Sequence, residues 1–496
     1  MKKGLFESLR NYSESDFYPF HMPGHKRRVK NDGLGEIYRY DITEIDGFDN
    51  LHAPESILKE AEERAAELYC SEETYYLING STSGILSAVS AVAGRAQGLI
   101  IARNCHRAVY HAAFLNHMEL YYVYPEIIDE YGIAGPVTAE GLECLIKEIL
   151  RKAGTESEKA GELIAGAVVT SPTYDGVSSD IRKIADLLHG YGIPLIVDQA
   201  HGAHFGLHPA YPENAVKEGA DMVIHSVHKT LPAPTQTALI HRNGALTDGE
   251  TLKKYLRIYQ SSSPSYVLMA GTDESIRIAK EEGLQRLEQL LHLRKEFLKK
   301  ISVCRYIKVC PFTEPGKLII SVIGTSMTGQ ALYDILRDQY HLQMEMASAS
   351  YVTAILTMMD EEEGLKRLAH ALIQIDQDII EKEDQDRFSD FTQRPAKRLN
   401  IWEAYAVPFL EVGLDQAEGG TAAEFINLYP PGIPILVPGE VFDRELIREI
   451  QFYLESGYTV QGIFEHRVRV VKSPQLHGME DCYEKNKDYL YHRTGK

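Results

Sequence analysis

Three stretches of this sequence, taken in chain order, carry residue types suited to one chemistry. Asn79-Gly80-Ser81-Thr82-Ser83-Gly84 follows a short apolar run and precedes a helical pattern. A Gly/Ser/Thr turn at a helix start offers backbone N–H groups and hydroxyls to an anion, and the helix dipole assists. No Gly-Lys-Ser/Thr closes it, so it is not a nucleotide P-loop. Asp198 ends the run Ile196-Val197-Asp198, where ligands enter an α/β sheet. A buried carboxylate there needs a cationic partner, and a protonated pyridine nitrogen would serve. Lys229 closes Val223-Ile224-His225-Ser226-Val227-His228-Lys229. A lysine so placed forms a Schiff base once its pKa is lowered. Each feature alone reads as a tight turn or a surface ion pair. The three in this order point to pyridoxal 5'-phosphate.

Positioning these residues takes a sheet. Short, unalternating apolar runs at 75–78, 99–102, 163–170, 194–198, 222–227 and 237–241 read as strands buried on both faces. Helical stretches such as 57–68 and 181–189 lie between them, which predicts a mostly parallel α/β sheet. A long helix is predicted to begin at Thr272-Asp273-Glu274, to bury Leu284, Leu287, Leu291, Leu298 and Ile301, and to close at Lys299-Lys300. The organisation read from these signals is an irregular N-terminal interface arm at 1–50 and a cofactor-binding large domain at 51–270. A small α+β domain at 271–375, a charged linker at 376–400 and a C-terminal α+β domain at 401–496 follow.

Composition narrows the function. The 496 residues are 44% hydrophobic and 25% charged, an ordinary globular balance that excludes dominant disorder and suggests roughly three domains. The net charge of −19 disfavours nucleic acid as a partner. Six scattered cysteines without CxxC spacing read as free thiols in a reducing compartment. No signal-peptide pattern and no membrane-spanning apolar run is seen, so the expected location is the cytoplasm.

Beyond the trio, nine stretches resemble the Orn/Lys/Arg decarboxylases, pyridoxal phosphate enzymes of the aspartate aminotransferase fold. They are Phe20-His21-Met22-Pro23-Gly24-His25-Lys26, Asp49-Asn50-Leu51-His52-Ala53-Pro54, the 79–84 turn, Arg103-Asn104-Cys105-His106-Arg107, Ser171-Pro172-Thr173-Tyr174-Asp175-Gly176, Val197-Asp198-Gln199-Ala200-His201-Gly202, Ser226-Val227-His228-Lys229-Thr230-Leu231-Pro232-Ala233, Gln260-Ser261-Ser262-Ser263-Pro264-Ser265-Tyr266, and Tyr429-Pro430-Pro431-Gly432-Ile433-Pro434 with Pro438-Gly439-Glu440. The resemblance is closest to short Gram-positive-type members without an N-terminal receiver-like wing. It implies a fold-type I enzyme with a mostly parallel seven-stranded sheet and two smaller α+β domains, decarboxylating arginine, lysine or ornithine to the amine and CO2. It also implies roles. Lys229 would hold the cofactor, Asp198 would pair with its ring nitrogen, and His106 and Ala200 would lie on its two faces. Ser81, Thr82, Ser83 and Ser226 would hold its phosphate, joined by Ser262 of a second subunit. That makes a homodimer with shared sites, with assembly above the dimer left open. His228 would transfer a proton or meet the substrate carboxylate, and His201 would lie near the pyridine side. Gln199 stands where many short members carry Glu; its side chain is expected to point away from the ring.

Other signals weigh less. His201, His204 and His208 are spaced like helical metal ligands, but Gly202, Gly206 and Pro209 disfavour a helix and no metal is expected. Cys105 reads as a buried thiol. His21 and His25 bracket a turn. Asp41, Glu44, Asp46, Asp49 and Glu345 are candidates to meet a cationic substrate head, against the plainer reading of a solvated acidic loop. An aminotransferase or β-lyase on the same fold, or a non-catalytic regulator, are the competing functions. For an aminotransferase, Arg367 is the arginine available between 340 and 375.

Overall fold

The computed structural model describes residues 4–15, 22–23, 34–381, 394–428, 432–455 and 457–472. His21, His25, the Tyr429-Pro430-Pro431 run and residues 382–393 of the expected linker lie outside them. A sheet of seven strands organises the large domain: β1 Glu73–Leu77, β2 Gly98–Ala102, β3 Glu119–Val123, β4 Ile164–Thr170, β5 Leu195–Asp198, β6 Met222–His225 and β7 Ala238–Arg242. Their spatial order is β1-β7-β6-β5-β4-β2-β3. From β3 through β6 every pairing is parallel. β2, β5 and β6 are buried at every position, as the unalternating apolar runs require.

Two features differ from the sequence expectation. β3, Glu-Leu-Tyr-Tyr-Val, forms no apolar run because it lies at the sheet edge and is only partly buried. β7 runs antiparallel to both β6 and β1. A single helical turn, Val227–Thr230, separates it from β6, with no full crossover helix of the kind a parallel return needs.

The N-terminal fifty residues are also less irregular than expected, since Leu5–Ser13 and Leu34–Tyr40 are helical. The long helix spans Tyr266–Ile301 and starts six residues before the expected cap, with Ser265 accepting from the Leu268 N–H. Its buried seam is Gly283, Leu287, Leu290, Phe297 and Ile301, whereas Leu284 is 61% exposed. Leucine recurs on two neighbouring faces of this helix, and only packing distinguishes them.

The helix packs on a second, antiparallel sheet of β8 Lys308–Val309, β9 Lys317–Ser321, β10 Met346–Ala347 and β11 Tyr351–Ile355, in the order β8-β9-β11-β10. The C-terminal unit joins Phe409–Gly413 to Arg467–Val471, and Ile426–Leu428 to Pro434–Leu436 and Val460–Gln461. A buried ion pair fastens this unit to the large domain. The Arg103 guanidinium donates to both oxygens of Glu440, at 3.2 and 2.9 Å, and to the carbonyls of Pro434 and Ile435. Among the described residues no helix is long and apolar enough to cross a membrane.

Candidate active site

The residues singled out for chemistry gather at the carboxyl ends of β1, β2, β4, β5 and β6, where open α/β sheets bind ligands. The 79–84 turn opens the Gly80–Ala93 helix, with Gly80 at φ +73°, a left-handed conformation that favours glycine. The helix sits tightly on the sheet: a Cβ on Gly84 would come within 2.6 Å of Leu77 Cδ1. At its start the Ser226 hydroxyl, fully buried, donates to Ser81 Oγ at 2.8 Å. Ser83 donates to the Gly80 carbonyl, and Thr82 is exposed at the turn. Ser262 lies in the exposed segment after the Gly249–Tyr259 helix, and the N–H of its neighbour Ser261 donates to Asn79.

Asp198 is buried and accepts the Ala200 N–H at 3.2 Å. Burial pushes its carboxyl up, partly offset by the charge of Lys229 and by that N–H. Lys229 lies on the helical turn after β6, and burial lowers its amine against the pull of Asp198 and Glu345. His106 caps the Arg107–Leu115 helix, its Nδ1 accepting from the Ala108 N–H at 3.2 Å. Burial, then the positive charge of Lys229, press it down to about 4, so the ring is neutral near pH 7. His228 Nδ1 lies 2.8 Å from the Thr237 carbonyl, which fixes the proton on that nitrogen. His201 Nε2 is 3.0 Å from Lys229 Nζ.

Other candidates separate. Asp49 accepts the N–H groups of Asn50, Glu55, Ser56 and Leu58, and so caps the Ile57–Tyr69 helix in place of a substrate contact. Asp41, Glu44 and Asp46 lie between the Leu34–Tyr40 helix and Asp49. Glu345 accepts from the Tyr174 hydroxyl, and its charge acts on Lys229. His204 meets Glu314 and His208 meets Glu288, so the three spaced histidines share no centre. Among the described residues no His, Cys, Asp or Glu group is placed to hold a metal. Cys105 is buried, and burial pushes its thiol up. Gln199 does point away, accepting from the Ala215 N–H and from His225.

Sequence reading missed Lys317. It opens β9 and is fully buried, with Nζ 2.9 Å from His201 Nδ1. The available signal was a lysine at the head of the apolar run Leu318-Ile319-Ile320.

A carboxylate held up by burial, a lysine held down and a hydroxyl-lined helix start define a fold-type I pyridoxal phosphate scaffold. Solved structures share that fold. A lysine decarboxylase of Francisella novicida superposes with a TM-score of 0.80 at 18% identity, over 94% of this chain and 81% of that one. Models of the Orn/Lys/Arg decarboxylase major domain and C-terminal domain match residues 3–351 and 391–485. The arginine decarboxylase of Bacillus subtilis (strain 168) is 30% identical over 94% of this chain and 97% of its own length. An arginine decarboxylase of Bacillus anthracis is 29% identical over 92% and 94%. The chain belongs to the Orn/Lys/Arg decarboxylase family.

Proposed function

We propose that this chain decarboxylates arginine, using pyridoxal 5'-phosphate held by Lys229. The observation that carries the reading is half-buried Lys229 facing the charge of buried Asp198 at the carboxyl ends of adjacent parallel strands. The residues fit the cofactor. Asp198 needs a cation, and a protonated ring nitrogen supplies one. The Ser81–Ser226 pair and the Gly80–Ala93 helix start, with Thr82 and Ser83, suit a phosphate. Neutral His106 and the small Ala200 suit the two ring faces. When bound, the cofactor supplies an electron-accepting ring that makes loss of CO2 accessible.

The chain's own residues do the rest. Asp198 would hold the ring nitrogen in its protonated form, and Lys229 would hold the cofactor through its amine. His228, with its proton fixed on Nδ1, presents Nε2 to the substrate carboxylate or to a proton in transit. Glu345 is offered to the guanidinium head, and relatives of matching length named arginine decarboxylase favour that head over an ammonium. Transamination is disfavoured, because the Arg367 guanidinium donates to the carbonyls of Tyr340 and His341. We place the enzyme in the cytoplasm as a homodimer, with Ser262 of the partner subunit completing the phosphate site.

The test is a product assay with arginine, lysine and ornithine. Agmatine and CO2 from arginine, lost in Lys229→Ala together with the cofactor's visible absorption, are expected. Keto-acid formation, or turnover surviving in Lys229→Ala, would overturn the proposal.

A further inference from the structure

A second cleft, of about 680 Å³, opens between the long helix, the turn from β8 to β9, and the 176–178 and 210–212 segments. None of the residues assigned a role in the chemistry above lines it. Arg294 of the long helix, Glu314 of the turn, Tyr211 and Ser178 do. Tyr211 and Glu314 are each 5% exposed, and Arg294 is half-buried. The Tyr211 and Ser178 hydroxyls, Arg294 Nε and Glu314 Oε1 are all buried without a hydrogen bond. Buried polar atoms are ordinarily paired, so four in one cleft call for an explanation.

The unpaired groups are of two kinds. Glu314 Oε2 is taken, accepting from the Gly316 N–H at 2.5 Å and from His204 Nε2 at 3.2 Å, while Oε1 is left to accept. Arg294 Nε and the Tyr211 hydroxyl are left to donate. Burial lowers the guanidinium, and Glu314 and Tyr211 act against that burial, so the three groups lie near one another. Yet Glu314 meets His204 and not Arg294. A cleft that offers a guanidinium and a hydroxyl together with a carboxylate suits an occupant carrying both an anion and a cation. The apolar part of its wall, Leu298, Val309, Pro311 and Phe312, suits a hydrocarbon body.

We propose that this cleft is a second binding site, for a free α-amino acid with an apolar side chain. The α-carboxylate accepts from the Arg294 guanidinium and the Tyr211 hydroxyl. The α-ammonium donates to Glu314 Oε1, and the side chain lies on Leu298, Val309, Pro311 and Phe312. Phe312 is 53% exposed and Arg294 half-exposed, so rotation of these two side chains admits the ligand to the buried atoms, a common adjustment on binding. The occupant joins the large domain, through Tyr211, to the small domain, through Glu314. It sits against Gly176, whose carbonyl accepts the Glu314 N–H at 2.9 Å. The inference goes beyond the decarboxylase reading and does not depend on it.

The experiment is equilibrium dialysis of radiolabelled L-leucine against the full-length protein, as wild type, Arg294→Gln and Tyr211→Phe. Two leucine analogues compete: 4-methylpentanoate, which lacks the ammonium, and 3-methylbutylamine, which lacks the carboxylate. Saturable binding of leucine to wild type is expected. Arg294→Gln should weaken it by about tenfold or more, as loss of a charge-assisted contact does, and Tyr211→Phe by severalfold. Each analogue should compete at least about tenfold more weakly than unlabelled leucine. No saturable binding, or equal binding in wild type and Arg294→Gln, would overturn the proposal, and equal binding in the variant would place leucine elsewhere, the active site included. Competition by 4-methylpentanoate as strong as by leucine would overturn the zwitterion assignment. If Arg294→Gln does not fold, Tyr211→Phe and the two analogues on wild type decide in the same terms. The readout needs neither CO2 release nor agmatine, so failure here leaves the decarboxylase reading intact, and failure of the agmatine assay leaves this dialysis interpretable.

Discussion

Gln199 shows how one neutral amide can order a buried polar chain. Its Oε1 accepts from the Ala215 N–H at 3.1 Å and from His225 Nε2 at 2.9 Å. His225 Nδ1 must then accept from His241 Nε2, at 3.0 Å, and His241 Nδ1 from the Thr74 hydroxyl, at 2.7 Å. Every proton in this chain has one assignment. Gln199→Leu leaves two buried donors unpaired, at about 1–3 kcal/mol each. The expected result is a stability loss of roughly 3 kcal/mol in urea unfolding, with kcat little changed. A tenfold fall in kcat at full stability would place Gln199 in the chemistry instead. At this scale Lys229, Asp198 and Ser81 were legible because each follows a run whose apolar character marks a strand end. Lys317 was not, because a lysine at a strand's first position ordinarily faces water. Only the packing of Gly176 and Tyr174 against it reveals its burial.

The same contrast holds for elements. Residues of capping type at Thr272-Asp273 suggested a helix start, but both sit inside the Tyr266–Ile301 helix. Thr272 donates back to the Leu268 carbonyl, and Asp273 serves other elements. Its carboxylate accepts from the Leu5 N–H at 2.9 Å and from Arg64 at 2.7 and 3.1 Å. It therefore ties the Leu5–Ser13 and Ile57–Tyr69 helices to the long one, a tertiary role that local spacing does not encode. Asp49 is the reverse case: it looked available to substrate but completes a cap four N–H groups wide. Asp273→Ala removes the buried partner of a half-buried arginine and one helix-start acceptor. A loss of about 3 kcal/mol is expected. Amide exchange should rise first in residues 5–13, and uniform protection across that helix would refute the tie.

For the molecule as a whole, proton uptake by buried histidines sets the acid limit of the fold. Burial holds His106 down to about 4 and His241 down to about 3, and it keeps His201 and His225 well below the ordinary range. Above about pH 6.5 these groups are neutral folded or unfolded and contribute nothing to pH dependence. Below it the unfolded chain takes up protons that the fold refuses, so stability falls with pH, by about 1.4 kcal/mol per unit for each histidine. Glu62 acts in the opposite sense. Burial raises its carboxyl to about 8, so the fold binds a proton that the unfolded chain releases, and that contribution grows as pH drops toward 4.5. Burial lowers His111 and His228 in the same way and raises Asp198, Asp360 and Glu440 as it raises Glu62, so six histidines stand against four carboxyls. Urea unfolding of cofactor-free protein should thus weaken as pH falls from about 6.5 to 5. His106→Phe should flatten that slope by about one group's share, because its ring is no longer a base, while Glu62→Gln should steepen it by the same amount. The two variants move the slope in opposite directions only if buried neutral imidazoles and a buried neutral carboxyl are the groups in balance; equal slopes in all three proteins would assign the acid limit to groups elsewhere in the chain.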